Sequence, residues 1–203
     1  MKDSYSQYGE DLKISELLAR GNFQFAAEPA ILEIGAWWPD TFSNSRLFID
    51  RGWRALLVEF SPEPVHKLLK EYGANPKVRI IQAAVTASDD TLLEFNITDD
   101  ALSTNNEKVL ETWRERGGYF GKMWVPGLSV PRLANQFGGN FDVVSIDTEG
   151  SSVDIAAAWI ATGARPKVLC VEHDGRSLEL MLAIQGAGYE LRFTNDTNAI
   201  FGL

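Results

Sequence analysis

The sequence predicts an open α/β sheet, and three observations carry that expectation. Short apolar runs at residues 31–34, 54–60, 78–85, 141–146 and 167–171 alternate with helix-length segments, the pattern of a parallel sheet buried on both faces. A glycine, Gly35, follows the first run, so that 31–59 reads as a β-loop-α-β unit. Acids recur where the runs end, at Glu33, Glu59, Asp147 and Glu172. In open α/β sheets the ligand sits beyond the C-terminal ends of the strands, where these acids fall.

Composition narrows the classes. The chain has 203 residues, 45% hydrophobic and 23% charged, enough for one sizeable core and a single domain. No apolar stretch reaches the roughly 18 residues of a membrane span. The start, MKDSYSQYGEDLK, lacks the basic-then-apolar pattern of a secretory signal, which points to the cytoplasm. Cys170 is the single cysteine, so neither an internal disulfide nor a cysteine zinc cage is available. A net charge of -9 argues against a nucleic-acid partner, which needs a surplus of Lys and Arg.

In chain order, Leu12, Ile14, Leu17 and Leu18 give a helical face over about 8–20, with Gly21 as its stop. Ile31, Leu32 and Ile34 form the first strand. Glu33 interrupts it, and a carboxylate inside a buried strand requires a ligand or backbone amides to receive it. Ser43 or Asn44 can cap a helix carrying Leu47, Phe48 and Ile49 to Gly52. The second strand covers 54–60. Ser61 and Pro62 then open a helix with Val65, Leu68, Leu69 and Tyr72 on one face. The third strand is placed at 78–85, with a β-extension at 91–97. Residues 101–127 mix a charged helical piece with aromatics and read as a lid or substrate-facing insertion. A short helix at 130–137, a strand at 141–146, a helix through Trp159, a strand at 167–171 and a helix at 177–187 follow. Runs at 189–193 and 199–203, separated by the turn-rich TNDTN, read as a terminal β-hairpin.

Read from the residues alone, Gly35 lets the backbone approach a ligand, and Glu59 at the second strand's tip can accept from both hydroxyls of a ribose. That geometry would hold a nicotinamide dinucleotide as readily as other nucleotides.

SQYGED near the N-terminus, EIGAWWPDTFSNS followed by RGW, the ALST segment, VVSIDTEG and PKVLCVEH, in this order and spacing, resemble the FkbM-type methyltransferases, S-adenosylmethionine-dependent enzymes of the class I fold. The resemblance runs from Ser6 to the last strand. It implies a Rossmann-like, mostly parallel seven-stranded sheet with helices on both faces, closed by an antiparallel hairpin. It also implies that Glu33, Gly35 and Ala36 line the methionine end of the cofactor, that Phe60, Ala83 and Ala84 edge the adenine, and that Asp147 faces the sulfonium and the acceptor. Trp37 and Pro39 stand where further glycines are usual, and Asp40, Ser43 and Asn44 are then candidates for polar contacts.

The implied reaction is methyl transfer to a hydroxyl of a small molecule or glycan. Such a transfer needs alignment above all, and a base for the hydroxyl proton. His173, beside Glu172 and Asp174, is the candidate base; His66 lies among charged helix neighbours and reads as exposed. Asp147, Glu172 and Asp174, with Glu149, can alternatively hold a divalent cation such as magnesium. Two other readings stay open: an NAD-dependent oxidoreductase, and a non-catalytic methyltransferase-like binding module with tryptophans crowding the cofactor loop. The acceptor and the oligomeric state are not encoded in any pattern found here.

Overall fold

In the computed structural model, which describes residues 3–21, 23–25, 27–87, 91–98, 119–137, 140–184 and 186–203, the apolar runs become the centre of a seven-stranded sheet. Strands β1 (Ala30–Ile34), β2 (Arg54–Glu59) and β3 (Val78–Gln82) run parallel, and on the other side of β1 lie β7 (Val143–Ile146) and β8 (Val168–Glu172), also parallel. The terminal hairpin is β9 (Glu190–Thr194) with β10 (Asn198–Gly202). Its last strand enters between β8 and β9, antiparallel to both, so the order is β3-β2-β1-β7-β8-β10-β9. A Rossmann-like α/β architecture is thus present.

Alternate strand residues serve two cores. Leu32, Ile34, Leu56, Val58, Val144 and Ile146 point to one face, against α4 (Val130–Phe137), α5 (Ser152–Ala161) and α6 (Ser177–Ile184), with Trp159 fully buried among them. Ile31, Ala55, Leu57, Val143 and Cys170 point to the other, against α1 (Glu10–Arg20), α2 (Arg46–Asp50) and α3 (Pro62–Tyr72). Burial on both faces explains why the runs lack polar alternation.

Two expectations change. The run at 78–85 is not one strand: the chain breaks at Ala83, and β4 (Ala84–Thr86) leaves the main sheet for a three-stranded sheet with β5 (Leu92–Thr98) and β6 (Tyr119–Ser129). Residues 119–127 of the expected lid or substrate-facing insertion therefore belong to strand β6, paired antiparallel with β5. The rest of that insertion, 101–118, lies outside the described residues. Among the described residues no helix is long and apolar enough to cross a membrane.

The ends of the chain are stitched to each other by buried acids. Glu10, 1% exposed, accepts from the Tyr8 N–H (2.9 Å) and from the side-chain amides of Asn195 (2.8 Å) and Asn198 (3.1 Å). Glu10→Ala takes the acceptor from the Asn195 amide and one of the two acceptors from the buried Asn198 amide, and is expected to cost about 2–3 kcal/mol in urea denaturation, whereas removal of the half-buried Glu16 carboxylate, paired with Lys13 and Arg20, should cost about 0.5 kcal/mol or less.

Candidate active site

A cavity of about 450 Å³ opens at the C-terminal ends of β1, β2 and β7. Gly35 and Trp37 line it from the loop after β1, Glu59, Phe60 and Ser61 from the end of β2, and Asp147, Thr148 and Glu149 from the end of β7. Ala83 and Ala84 close the far side, where Leu93 and Phe95 reach in from the second sheet. Gln7 and Phe42 complete the rim.

Gly35 is demanded twice over. Its φ of +79° is a left-handed conformation, and a Cβ there would collide with the backbone carbonyl of Asp147. The tips of β1 and β7 approach so closely that only glycine fits between them.

Glu33 is buried and does not line the cavity. It faces the opposite side of the loop, where Oε1 accepts from the Asn44 N–H (2.6 Å) and Oε2 from the hydroxyls of Ser45 (2.5 Å) and Ser43 (3.3 Å). Asn44 in turn donates to Ser145 Oγ on β7 (3.0 Å), and Ser43 Oγ accepts from the Arg46 N–H (3.2 Å) at the start of α2. Of the two partners a buried strand acid requires, the structure supplies backbone and hydroxyl donors rather than a ligand. The expected lining roles of Glu33 and Ala36 are corrected accordingly, since Ala36 is buried behind the loop. Ser43 and Asn44 likewise face inward.

Glu59 does line the cavity. Its Oε2 accepts from the Trp37 N–H (3.0 Å) and its Oε1 from the Ser61 N–H (2.7 Å), which fixes the carboxylate while leaving lone pairs on both oxygens. Burial raises its pKa. Phe60 stacks on Phe95 with ring centroids 4.3 Å apart. Sequence reading missed Phe95, although the apolar alternation of Leu93 and Phe95 marked that face of β5.

The tips of β7 and β8 concentrate negative charge. Carboxylate oxygens of Asp147, Glu149 and Glu172 come within 4.8 Å of one another, and the charge of Asp174 also acts on Glu172. Burial and then the neighbouring charges of Asp147, Glu149 and Asp174 push Glu172 up to about 11; burial is also the largest cause raising Asp147 and Asp174. No Lys, Arg or His appears among the described residues lining the cavity, whereas Glu59, Asp147, Glu149 and Asp154 do.

His173 is the clearest correction. It lies outside the cavity lining, its Nε2 meets the Asn195 carbonyl (3.1 Å) and its Nδ1 accepts from the Gly175 N–H (3.2 Å). A carbonyl only accepts and an amide only donates, so Nε2 carries the proton and Nδ1 has no free lone pair. The ring braces the 195–198 turn and cannot serve as base from this position. His66 is exposed, as expected. Trp37, at φ 46°, lines the cavity and stacks on Trp38, which itself lies under Lys67 Nζ (3.1 Å to the ring centroid). Trp37 is part of the cavity wall, and Trp38 stands behind it, outside the lining.

No family model and no curated protein matches the chain. Solved structures do match in fold. Methyltransferase FkbM from Methylobacillus flagellatus KT superposes with a TM-score of 0.55 over 91% of this chain, at 12% identity. The fold is that of the class I methyltransferases. Monomeric WbdD gives 0.53 over 98% of the chain at 12% identity, and a Staphylococcus aureus protein assigned as a caffeoyl-CoA O-methyltransferase gives 0.51 over 98% at 13%. This chain spans 46% of the FkbM chain and 42% of the WbdD chain, against 85% of the Staphylococcus aureus one.

Burial raises Glu33 to about 7, above its unfolded value of about 4.5. A carboxyl raised in this way takes up a proton on folding, so its contribution to stability is complete below pH 4.5 and is lost as pH rises through 7. Urea denaturation across this window is expected to show stability falling toward neutral pH, by on the order of 3 kcal/mol from Glu33. In Glu33→Gln that component of the slope should vanish.

Proposed function

We propose that the chain is an S-adenosylmethionine-dependent methyltransferase acting on a hydroxyl of an uncharged small molecule or glycan. The observation that carries this reading is Glu59: a carboxylate at the tip of β2, fixed by two backbone amides, with acceptor capacity left over and an aromatic surface, Phe60 against Phe95, next to it. That is a seat for a ribose with its base. The antiparallel β10 supports a methyltransferase over a nicotinamide-dependent enzyme, whose sheet is typically all parallel. The acid-lined cavity suits a positively charged sulfonium and disfavours phosphorylated acceptors.

The cofactor brings a methyl group already activated on sulfur. The chain's own work is alignment, which contributes up to about 7–11 kcal/mol when geometry is good. Gly35 keeps the loop close to the Asp147 backbone, Trp37 walls one side, and Ala83 and Ala84 leave room for a flat ring. Asp147, which lines the cavity at the tip of β7, is the carboxylate assigned to take the acceptor's hydroxyl proton. In place of that role as base, Asp147 with Glu149 and Glu172 would hold a divalent cation; three oxygen donors suit magnesium, which would orient and acidify a hydroxyl.

Calorimetry with S-adenosylmethionine, S-adenosylhomocysteine and NAD is the test. Binding of the two sulfur compounds without NAD is expected; binding of NAD alone would reverse the assignment. Glu59→Ala should weaken S-adenosylhomocysteine about tenfold or more, by loss of hydrogen bonds to a charged group. Against any acceptor that is turned over, the isosteric Asp147→Asn is expected to reduce turnover far more than cofactor affinity. His173→Ala should instead lower thermal stability and keep turnover per folded molecule.

A further inference from the structure

The cavity contains an unmet requirement. S-adenosylmethionine carries a sulfonium and an ammonium, which its acids match, but also an α-carboxylate, which they repel. Five of the backbone donors near the β1 and β7 tips, which would otherwise receive such an anion, are engaged. The N–H groups of Gly35 and Ala36 go to the Val58 carbonyl (2.9 and 3.1 Å), that of Trp37 to Glu59 (3.0 Å), that of Asp147 to the Ile34 carbonyl (2.9 Å) and that of Thr148 to Ser152 Oγ (2.9 Å). No cationic side chain lines the cavity among the described residues.

Gln7 fits the gap. It belongs to a strap whose neighbours are pinned. Asp11, fully buried, accepts from the Tyr5 N–H (2.8 Å) and from the hydroxyls of Ser4 (2.6 Å) and Ser6 (2.9 Å), while Glu10 takes the Tyr8 N–H (2.9 Å). The Tyr5 carbonyl accepts from the Ser43 N–H (3.1 Å), which fastens the strap to the loop after β1. Between these anchors the exposed Gln7 lines the cavity along with Gly35 and Trp37, and its amide has no hydrogen-bond partner among the described residues. The Trp37 indole also lines the cavity, but it offers one N–H where a carboxylate presents two oxygens and a primary amide two donors.

Resting on the cofactor reading above, we propose that the Gln7 side-chain amide binds the α-carboxylate of the methionine end of the cofactor. The acids Glu10 and Asp11 are the positioning residues that hold the strap to do so. This gives the SQYGED segment a role: its acids face inward as fasteners and its glutamine faces the ligand.

The test uses two ligands with the same adenosine. S-adenosylhomocysteine carries the amino-acid end, and 5′-methylthioadenosine lacks it. By calorimetry on the full chain, Gln7→Ala is expected to lose about tenfold or more in affinity for S-adenosylhomocysteine, the effect of deleting a hydrogen bond to a charged group, with 5′-methylthioadenosine unchanged. Gln7→Glu, which sets a carboxylate against a carboxylate, should lose more for the first ligand and nothing for the second. Unchanged S-adenosylhomocysteine affinity in Gln7→Ala overturns the assignment. Equal loss for both ligands also overturns it, by making Gln7 a structural residue. A wild-type chain that binds neither ligand removes the cofactor reading itself, a result distinct from wild type binding both and Gln7→Ala behaving as wild type.

Discussion

A carboxylate in the middle of a buried strand is the constraint on which the site's geometry turns. Desolvating Glu33 is costly, and the chain offsets that cost by folding residues 43–45 back onto it with one backbone amide and two hydroxyls. The consequences spread outward. The same segment donates to Ser145 on β7 through Asn44, and through the Ser43 amide it holds the Tyr5 carbonyl of the N-terminal strap. One buried acid thereby couples the first strand, the fourth strand of the parallel set and the strap, and it does so from beneath the cavity rather than within it.

Above that foundation the electrostatics run against ordinary folding economy. Asp147, Glu149, Glu172 and Asp174 gather at two adjacent strand tips, and burial and mutual repulsion raise Asp147, Glu172 and Asp174. Selection for stability alone would disperse such charges. Asp147 and Glu149 of this group line the cavity, which has no basic side chain among its described lining residues, and such a surface favours positive charge.

Much of this was legible in the sequence because it is local. The β-loop-α-β unit, the acids at strand ends, the helix at α4 and the terminal hairpin all follow from period, punctuation and turn residues. What escaped is what depends on the far side of the fold. His173 reads as a catalytic histidine because it ends a strand beside acids; only the 195–198 turn, folded against it, shows both nitrogens engaged. Glu33 looks like a cofactor ligand until one sees that side chains alternate across a strand and that the odd-numbered face of β1 belongs to the α1–α3 layer. The break at Ala83 was hidden because 78–85 carries no glycine, proline or other turn residue, and nothing in such a run says where one sheet hands over to another.

The stitching of Glu10 to Asn195 and Asn198 has a consequence in time. These hydrogen bonds join residues 185 and 188 positions apart, and β10 has to insert between β8 and β9 to present Asn198. A chain emerging at about 5–20 residues per second makes residue 10 wait roughly 10–40 s for that partner. The β1–β3 half of the sheet has all its residues early, but the strap cannot be fastened at both ends until β10 is in place. The rim of the cavity is therefore among the last parts to form, and a nascent chain has the floor of a binding site well before it has a complete wall.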